Sequence, residues 1–439
     1  MEISHGKAPA RWRDMANLAI VLAGAFAIPL VVNVRDGYDT FRLPKALVFQ
    51  GEAILLAFVH VGALLLGARL PRPARRDPWF WVPFVAFVAM VGLTLASTKL
   101  ALSMSALGTA AATLIVFLAT VAAARQHTWL LVGVPLAAAV GNAVLVMVEE
   151  AHLWMPFGVK PGVPHHLQCS ALVGNPNEVG AYLGAAAVGA LAWWATDRTN
   201  RTDGTNRTHG TKALAVIAVL CAGMLASQSL TAAGAFVAAA LVMFVRASPK
   251  QALRTMGVLA VGVVLVFLLY APLRTRVTNM VEWTRSGNYN MLLTDRLAPF
   301  AAASLMFADH PVLGIGPGTF AWHYYDYKLR AEERYPLLRL AYNRGVNYGE
   351  VHNDHLQVLA EGGLVGYAAF VLALVALAAI SMRSGDPSHP TQHFAWRLAL
   401  PLAVYWLVLS LAQFPLETTV VRSLLVHFAA LCVAWRSGA

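Results

Sequence analysis

Apolar runs of about twenty residues recur along this chain, and each is long enough to cross a hydrocarbon core of about 30 Å as a helix. ALVFQGEAILLAFVHVGALLLGA (46–68), SALGTAAATLIVFLATVAAA (105–124) and LVGYAAFVLALVALAAISM (364–382) are examples. In lipid the backbone must satisfy its own hydrogen bonds, so runs of this length read as helices. The composition agrees, because only 13% of the residues are charged, against about 25% in soluble domains.

The basic residues orient the spans. Lys7, Arg11 and Arg13 precede the first run, and Arg69, Arg72, Arg75, Arg76, Arg125, Arg246, Lys250, Arg254 and Arg436 recur at alternate connections. By the positive-inside rule these face the cytoplasm. The expected fold is an all-α polytopic membrane protein of about twelve transmembrane helices, with both termini inside. Residues 1–273 would hold spans one to nine, 274–362 a large, partly helical outer lobe, and 363–439 spans ten to twelve. The net charge of +11 invites a nucleic-acid reading, but the charges are spread over many short loops, so no nucleic-acid partner is expected. The three cysteines, Cys169, Cys221 and Cys432, are too scattered for a disulfide framework or a CxxC site and read as packing residues.

Every polar cluster with chemical promise falls on the outer side. VHNDHLQVLAEGGLVGY (351–367) lies where a long polar segment meets an apolar run. Read as one helix, it sets His352, Leu356, Leu359 and Gly363 near one face and Glu361 opposite, with Glu361-Gly362-Gly363 able to loosen a turn. His352 is either a hydrogen-bonded surface histidine or a proton acceptor at the membrane surface. His352 and His355 can reach one zinc ion, but HExxH is absent, and the expectation is no metal and no cofactor.

Upstream, Gly314, Gly316 and Gly318 mark a tight turn that is either purely structural or able to aim N–H groups at an anion. Arg274, Arg276, Arg285, Arg296, Lys328, Arg330, Arg334, Arg339 and Arg344 give the lobe a basic surface. These read as solvated helix faces and headgroup contacts, or as phosphate ligands. Arg296 is the preferred phosphate ligand, with Arg35, Arg42 and Lys45 in the first outer loop beside it. The outer segment 149–177 is rich in Pro, Gly, His and aromatics, as a re-entrant or membrane-surface segment would be. The sequons at Asn200 and Asn206 fall on an expected cytoplasmic loop and carry no glycosylation meaning.

HNDHLQVLAEGGLVGY (352–367), DRLAPFAAASLMFADHPVLGIGPGTF (295–320) and GNPNEVGAYL (174–183) each resemble segments of the O-antigen ligase/polymerase superfamily (WaaL-like and Wzy-like proteins). FRLPK (41–45) is compatible with it. The resemblance implies a membrane glycosyltransferase that moves a glycan from undecaprenyl diphosphate to an acceptor at the periplasmic face of the bacterial inner membrane, without nucleotide or metal. By position, His352 would activate the acceptor hydroxyl and Arg296 would bind the diphosphate. Arg35, Arg42, Lys45, Asn175, Asn177, Gly316, Asn353 and His355 would contact substrate. The acceptor would be lipid A–core or a growing glycan, with membrane lipids as further partners.

One departure is visible. The family's Ser-Arg-Gly-like segment corresponds here to SQSLTAAGA (227–235), which has no basic residue. Arg35, Arg42 or Lys45 would substitute, or the donor is handled differently. Lipid A–core ligase is the leading expectation, followed by a Wzy-like polymerase and a protein O-oligosaccharyltransferase. A lipid-linked sugar transporter is the alternative of a different class, disfavoured because the spans look largely free of charge. A catalytically dead scaffold is disfavoured by the presence of His352 and Arg296.

Overall fold

The computed structural model describes residues 7–33, 39–68, 78–159, 161–199, 207–247, 257, 262, 267–336, 338, 348–382 and 389–436. Arg35, Arg339, Arg344, the two sequon asparagines and most of the expected ninth span lie outside the described residues. Within them all regular structure is helical. The helices are α1 (Lys7–Ala27), α2 (Arg42–Leu65), α3 (Val82–Leu95), α4 (Leu100–Glu150), α5 (His165–Gln168), α6 (Pro176–Thr199), α7 (Arg207–Ala226) and α8 (Leu230–Ala247). After these come α9 (Ala271–Arg285), α10 (Tyr289–Leu292), α11 (Leu297–Asp309), α12 (Phe320–Arg334), α13 (Asp354–Ile380), α14 (Pro390–Leu409) and α15 (Thr419–Arg436).

Six helical stretches among the described residues are long and apolar enough to cross a membrane, two of them within α4 on either side of non-helical His127. Shorter apolar helices accompany them. Leu47, Ile54, Leu55, Phe58 and Val88 point outward, as side chains facing lipid must. This is an all-α polytopic membrane protein.

The bundle is organised around α6, where 89% of the best apolar window is buried. Ten of the sixteen residues from Gly180 to Ala195 are alanine or glycine, and small residues let neighbouring backbones approach. A Cβ on Gly184 would lie 2.4 Å from the Tyr405 hydroxyl, and one on Gly189 2.5 Å from the Phe428 ring. Tyr405 also donates to the Ala181 carbonyl at 2.6 Å, which ties α14 to α6. An acid does enter a span in α2, where Glu52 is only 6% exposed and its Oε2 has no hydrogen-bond partner among the described residues.

A second, smaller core lies in the lobe between α9 and α13. Ala302, Met306, Phe320, Tyr324 and Ala331 of α11 and α12 pack with Val351 and with Ala360 of α13. The lobe is fastened to α13 at a break. Gly363 takes φ 56° and ψ −155°, splitting α13 into two helical pieces. The amides released there are taken up by the preceding turn, Leu364 donating to the Pro311 carbonyl (2.8 Å) and Val365 to that of Val312 (3.2 Å). In return Ile315 and Gly316 donate to the carbonyls of Ala360 (3.0 Å) and Glu361 (2.9 Å).

Glycine is required on both sides of this interlock. A Cβ on Gly314 would sit 2.3 Å from the Glu361 carbonyl carbon, and one on Gly363 2.4 Å from that of Val312. The helical reading of 351–367 is corrected at its start, because α13 begins only at Asp354. Asn353 caps it by accepting from the Leu356 amide at 3.0 Å. His352 lies outside the helix with φ 62°.

Candidate active site

Two left-handed turns bring the lobe's chemistry to the bundle. Thr294 and Asp295 have φ of 54° and 62°, and with His352 they are non-glycine residues in a conformation rarely adopted without a constraint. The constraint is visible. Asn290 donates to Asp295 Oδ1 at 2.7 Å, and Tyr348 donates to the Asp295 carbonyl at 3.0 Å. Tyr348 thereby ties the turn carrying Arg296 to the segment carrying His352, and its ring meets the imidazole edge-on at 5.8 Å. Arg296 reaches across to the α14–α15 connection, where it donates to the Ala412 carbonyl at 2.6 Å. It also stands at the start of α11, where unpaired backbone amides add positive potential.

The same connection supplies Phe414, whose ring lies 4.5 Å from the His352 ring and 5.3 Å from the Arg42 guanidinium carbon. Arg42 is held by two carboxylates, Glu178 at 2.6 Å and Glu350 at 2.7 Å. Its own side chain remains 43% exposed while that of Glu178 is 4% exposed. Arg42, which opens α2 rather than lying in the expected first outer loop, thus joins α6 to the segment before His352. His352 Nδ1 is buried and has no hydrogen-bond partner among the described residues. Burial first, then the charges of Arg296 and Arg42, push the imidazole down to about 3. At neutral pH it is uncharged and has a free lone pair.

The other sequence-derived candidates are placed as follows. Lys45 is fully buried, with Nζ donating to the carbonyls of Val31 (2.7 Å) and Phe41 (3.0 Å). Asn175 accepts from the Asn177 amide at 2.9 Å, where α6 begins. Asn353 caps α13 and also donates to the Leu411 carbonyl at 2.7 Å. His355 sits against Tyr367, at 3.1 Å from its hydroxyl, with different neighbours from His352.

Gly316 packs against Ser97, whose Oγ would lie 2.0 Å from an added Cβ. The glycine-rich turn does aim N–H groups at an acceptor, and that acceptor is a carboxyl group of the protein itself. Glu361 accepts from the amides of Gly318 (2.9 Å) and Phe320 (2.8 Å).

Residues 213–371 match the Wzy_C family model, described as O-antigen ligase. This match supports the resemblance to the O-antigen ligase/polymerase superfamily. No curated protein matches it. That family is one of membrane glycosyltransferase-like enzymes of ligase/polymerase type, whose substrates in general are lipid-linked glycans and glycan acceptors. The matched stretch contains Arg276, Arg296 and His352, whereas Arg42 and Glu178 lie outside it.

The junction that lacks an arginine in sequence does not lack one in space. Arg276 of α9 donates to the Gln228 carbonyl at 2.8 Å, in the SQSLT turn itself. It is close enough for its charge to act on Arg296. The sequence reading had Arg276 only as one of nine basic lobe residues. Tyr348, Glu178, Glu350 and Phe414 were missed as well. Nothing local marks them, since each acts through a partner distant in the chain.

Proposed function

We propose that this protein transfers a glycan from a polyprenyl diphosphate to an acceptor hydroxyl at the periplasmic face of the bacterial inner membrane, with lipid A–core as acceptor. The observation that carries this reading is the buried His352 Nδ1, without a hydrogen-bond partner among the described residues and close enough to Arg296 and Arg42 to feel both charges.

The acceptor O–H gives its proton to the imidazole as its oxygen bonds to the anomeric carbon, and the bond from that carbon to the diphosphate oxygen breaks. Polyprenyl diphosphate leaves with the electron pair, and Arg296, Arg42 and Arg276 stabilise the added negative charge. Direct displacement inverts the anomeric centre. Burial first, and then Arg296 and Arg42, keep the imidazole weakly basic, and a bound diphosphate offsets the charge of the two arginines. The base therefore strengthens when the donor is in place. Domain 274–362 would supply most of the reacting groups, with Arg42 contributed by the bundle.

The test uses purified protein in nanodiscs with a labelled undecaprenyl-diphosphate oligosaccharide, with and without lipid A–core, for wild type, His352→Ala and Arg296→Ala. Transfer to lipid A–core that is lost in both variants supports the ligase reading. Longer polyprenyl-linked chains formed without lipid A–core reassign the protein as a polymerase. Full activity in His352→Ala overturns the mechanism.

A further inference from the structure

Away from His352, the outer segment between α4 and α6 gathers a different set of side chains. Glu150 ends α4, and His165 and Cys169 lie four residues apart across α5. One ligand atom from each of the three falls within 4.8 Å of the others. Cys169 Sγ is 3.4 Å from His165 Nε2, which also lies 3.0 Å from the Glu149 carbonyl oxygen. The His165 ring is fixed in plane by His152, stacked at 3.6 Å and 18°.

The Glu150 carboxylate supplies an independent observation. Its Oε1 accepts from Tyr270 Oη at 2.8 Å and Gln228 Nε2 at 3.0 Å. Its Oε2 is buried and has no hydrogen-bond partner among the described residues. A carboxylate oxygen withdrawn from water without a partner is costly, and a cation is the partner that best offsets it.

We propose that Glu150, His165 and Cys169 bind a divalent ion of the zinc class. One carboxylate oxygen, one imidazole nitrogen and one thiolate are the donor mix that a borderline-soft, tetrahedral ion takes. The Glu149 carbonyl or a water completes the set. On binding, the thiol proton passes to solvent and the sulfur ligates as thiolate.

Tyr270 and Gln228 become the outer partners that orient the carboxylate. Gln228 in turn accepts from Arg276 at 2.8 Å. The ion thus fastens the outer segment to the α7–α8 junction and the base of the lobe, and holds the platform on which Arg276 rests. This proposal goes beyond the glycosyl-transfer reading and does not depend on it, because metal binding is measured directly.

The experiment uses tag-free, full-length protein in nanodiscs, stripped with chelator and titrated with Zn²⁺ or Co²⁺. Metal content after desalting and the cobalt–thiolate charge-transfer absorption are the readouts. Equimolar metal with a thiolate band is expected for wild type and for Cys221→Ser. Affinity should fall at least tenfold in Cys169→Ser, His165→Ala and Glu150→Gln. Glu150→Gln retains an oxygen for Tyr270, so it decides the matter if the other two variants do not fold, as judged by size exclusion. Cobalt binding without a thiolate band, or equal metal content in wild type and Glu150→Gln, overturns the site.

Discussion

The imidazole of His352 rests against the ring of Phe414, with centroids 4.5 Å apart and planes inclined by 37°. With Nδ1 unpaired, ring packing is what orients this histidine. Phe414→Ala should therefore lower kcat by about a hundredfold, since a small misplacement of a reacting group has that scale of effect. His352→Ala should lose about 10²–10⁴-fold. Donor binding, measured by equilibrium titration, should change little in either. A Phe414→Ala enzyme with wild-type kcat would show that the imidazole is oriented by something else.

Arg276 and Arg296 should separate kinetically. Arg276→Ala should raise the KM for donor about tenfold, in line with the loss of one charge-assisted hydrogen bond. Arg276→Lys should recover part of it. Arg296→Ala should act chiefly on kcat, where leaving-group charge develops. Unchanged KM in Arg276→Ala would reduce that residue to a support for the Gln228 turn.

The break in α13 depends on the absence of a side chain at two facing positions. Gly363→Ala and Gly314→Ala each force a Cβ within 2.4 Å of backbone across the interlock. Each should destabilise the protein by about 1–3 kcal/mol from backbone strain alone. Gly92→Ala, where nothing lies within 4 Å of the added atom, should be tolerated. Thermal unfolding in nanodiscs checks the contrast, and equal midpoints for Gly363→Ala and Gly92→Ala would contradict it.

Acid should weaken the fold through His352. The folded imidazole is held at about 3, below its ordinary 6.5, so the unfolded state binds the proton more readily. The stability from burying it uncharged is complete above pH 6.5 and is lost as pH falls from there toward about 3. The unfolding midpoint of wild type should drop more steeply across that window than that of His352→Gln. Parallel pH profiles would remove His352 as a contributor.

Much of the architecture was legible because its causes are local. Apolar runs must become helices in lipid, whatever surrounds them. The run Glu361-Gly362-Gly363 announced a weak point in a helix through glycine's backbone freedom, and Gly363 is where α13 breaks. What escaped the sequence depended on partners far away in the chain. Glu361 looked like an isolated acid opposite His352, yet its carboxylate occupies the amides of the glycine-rich turn. Lys45 looked like a free cation beside Arg42, yet two backbone carbonyls occupy it.

The sequence alone determined that the chain is a bundle of membrane helices, and its short motifs pointed to the family whose model residues 213–371 match. Hydrophobic length and short motifs are properties of contiguous residues. Only the tertiary structure decided which basic residues assemble. Arg42 from α2, Arg276 from α9 and Arg296 before α11 are drawn together by contacts with Glu178, Gln228 and Ala412. Electrostatic and hydrogen-bond partners are chosen by distance in space, which residue order does not encode. That is why an arginine missing from the SQSLT turn in sequence is present beside it in the fold.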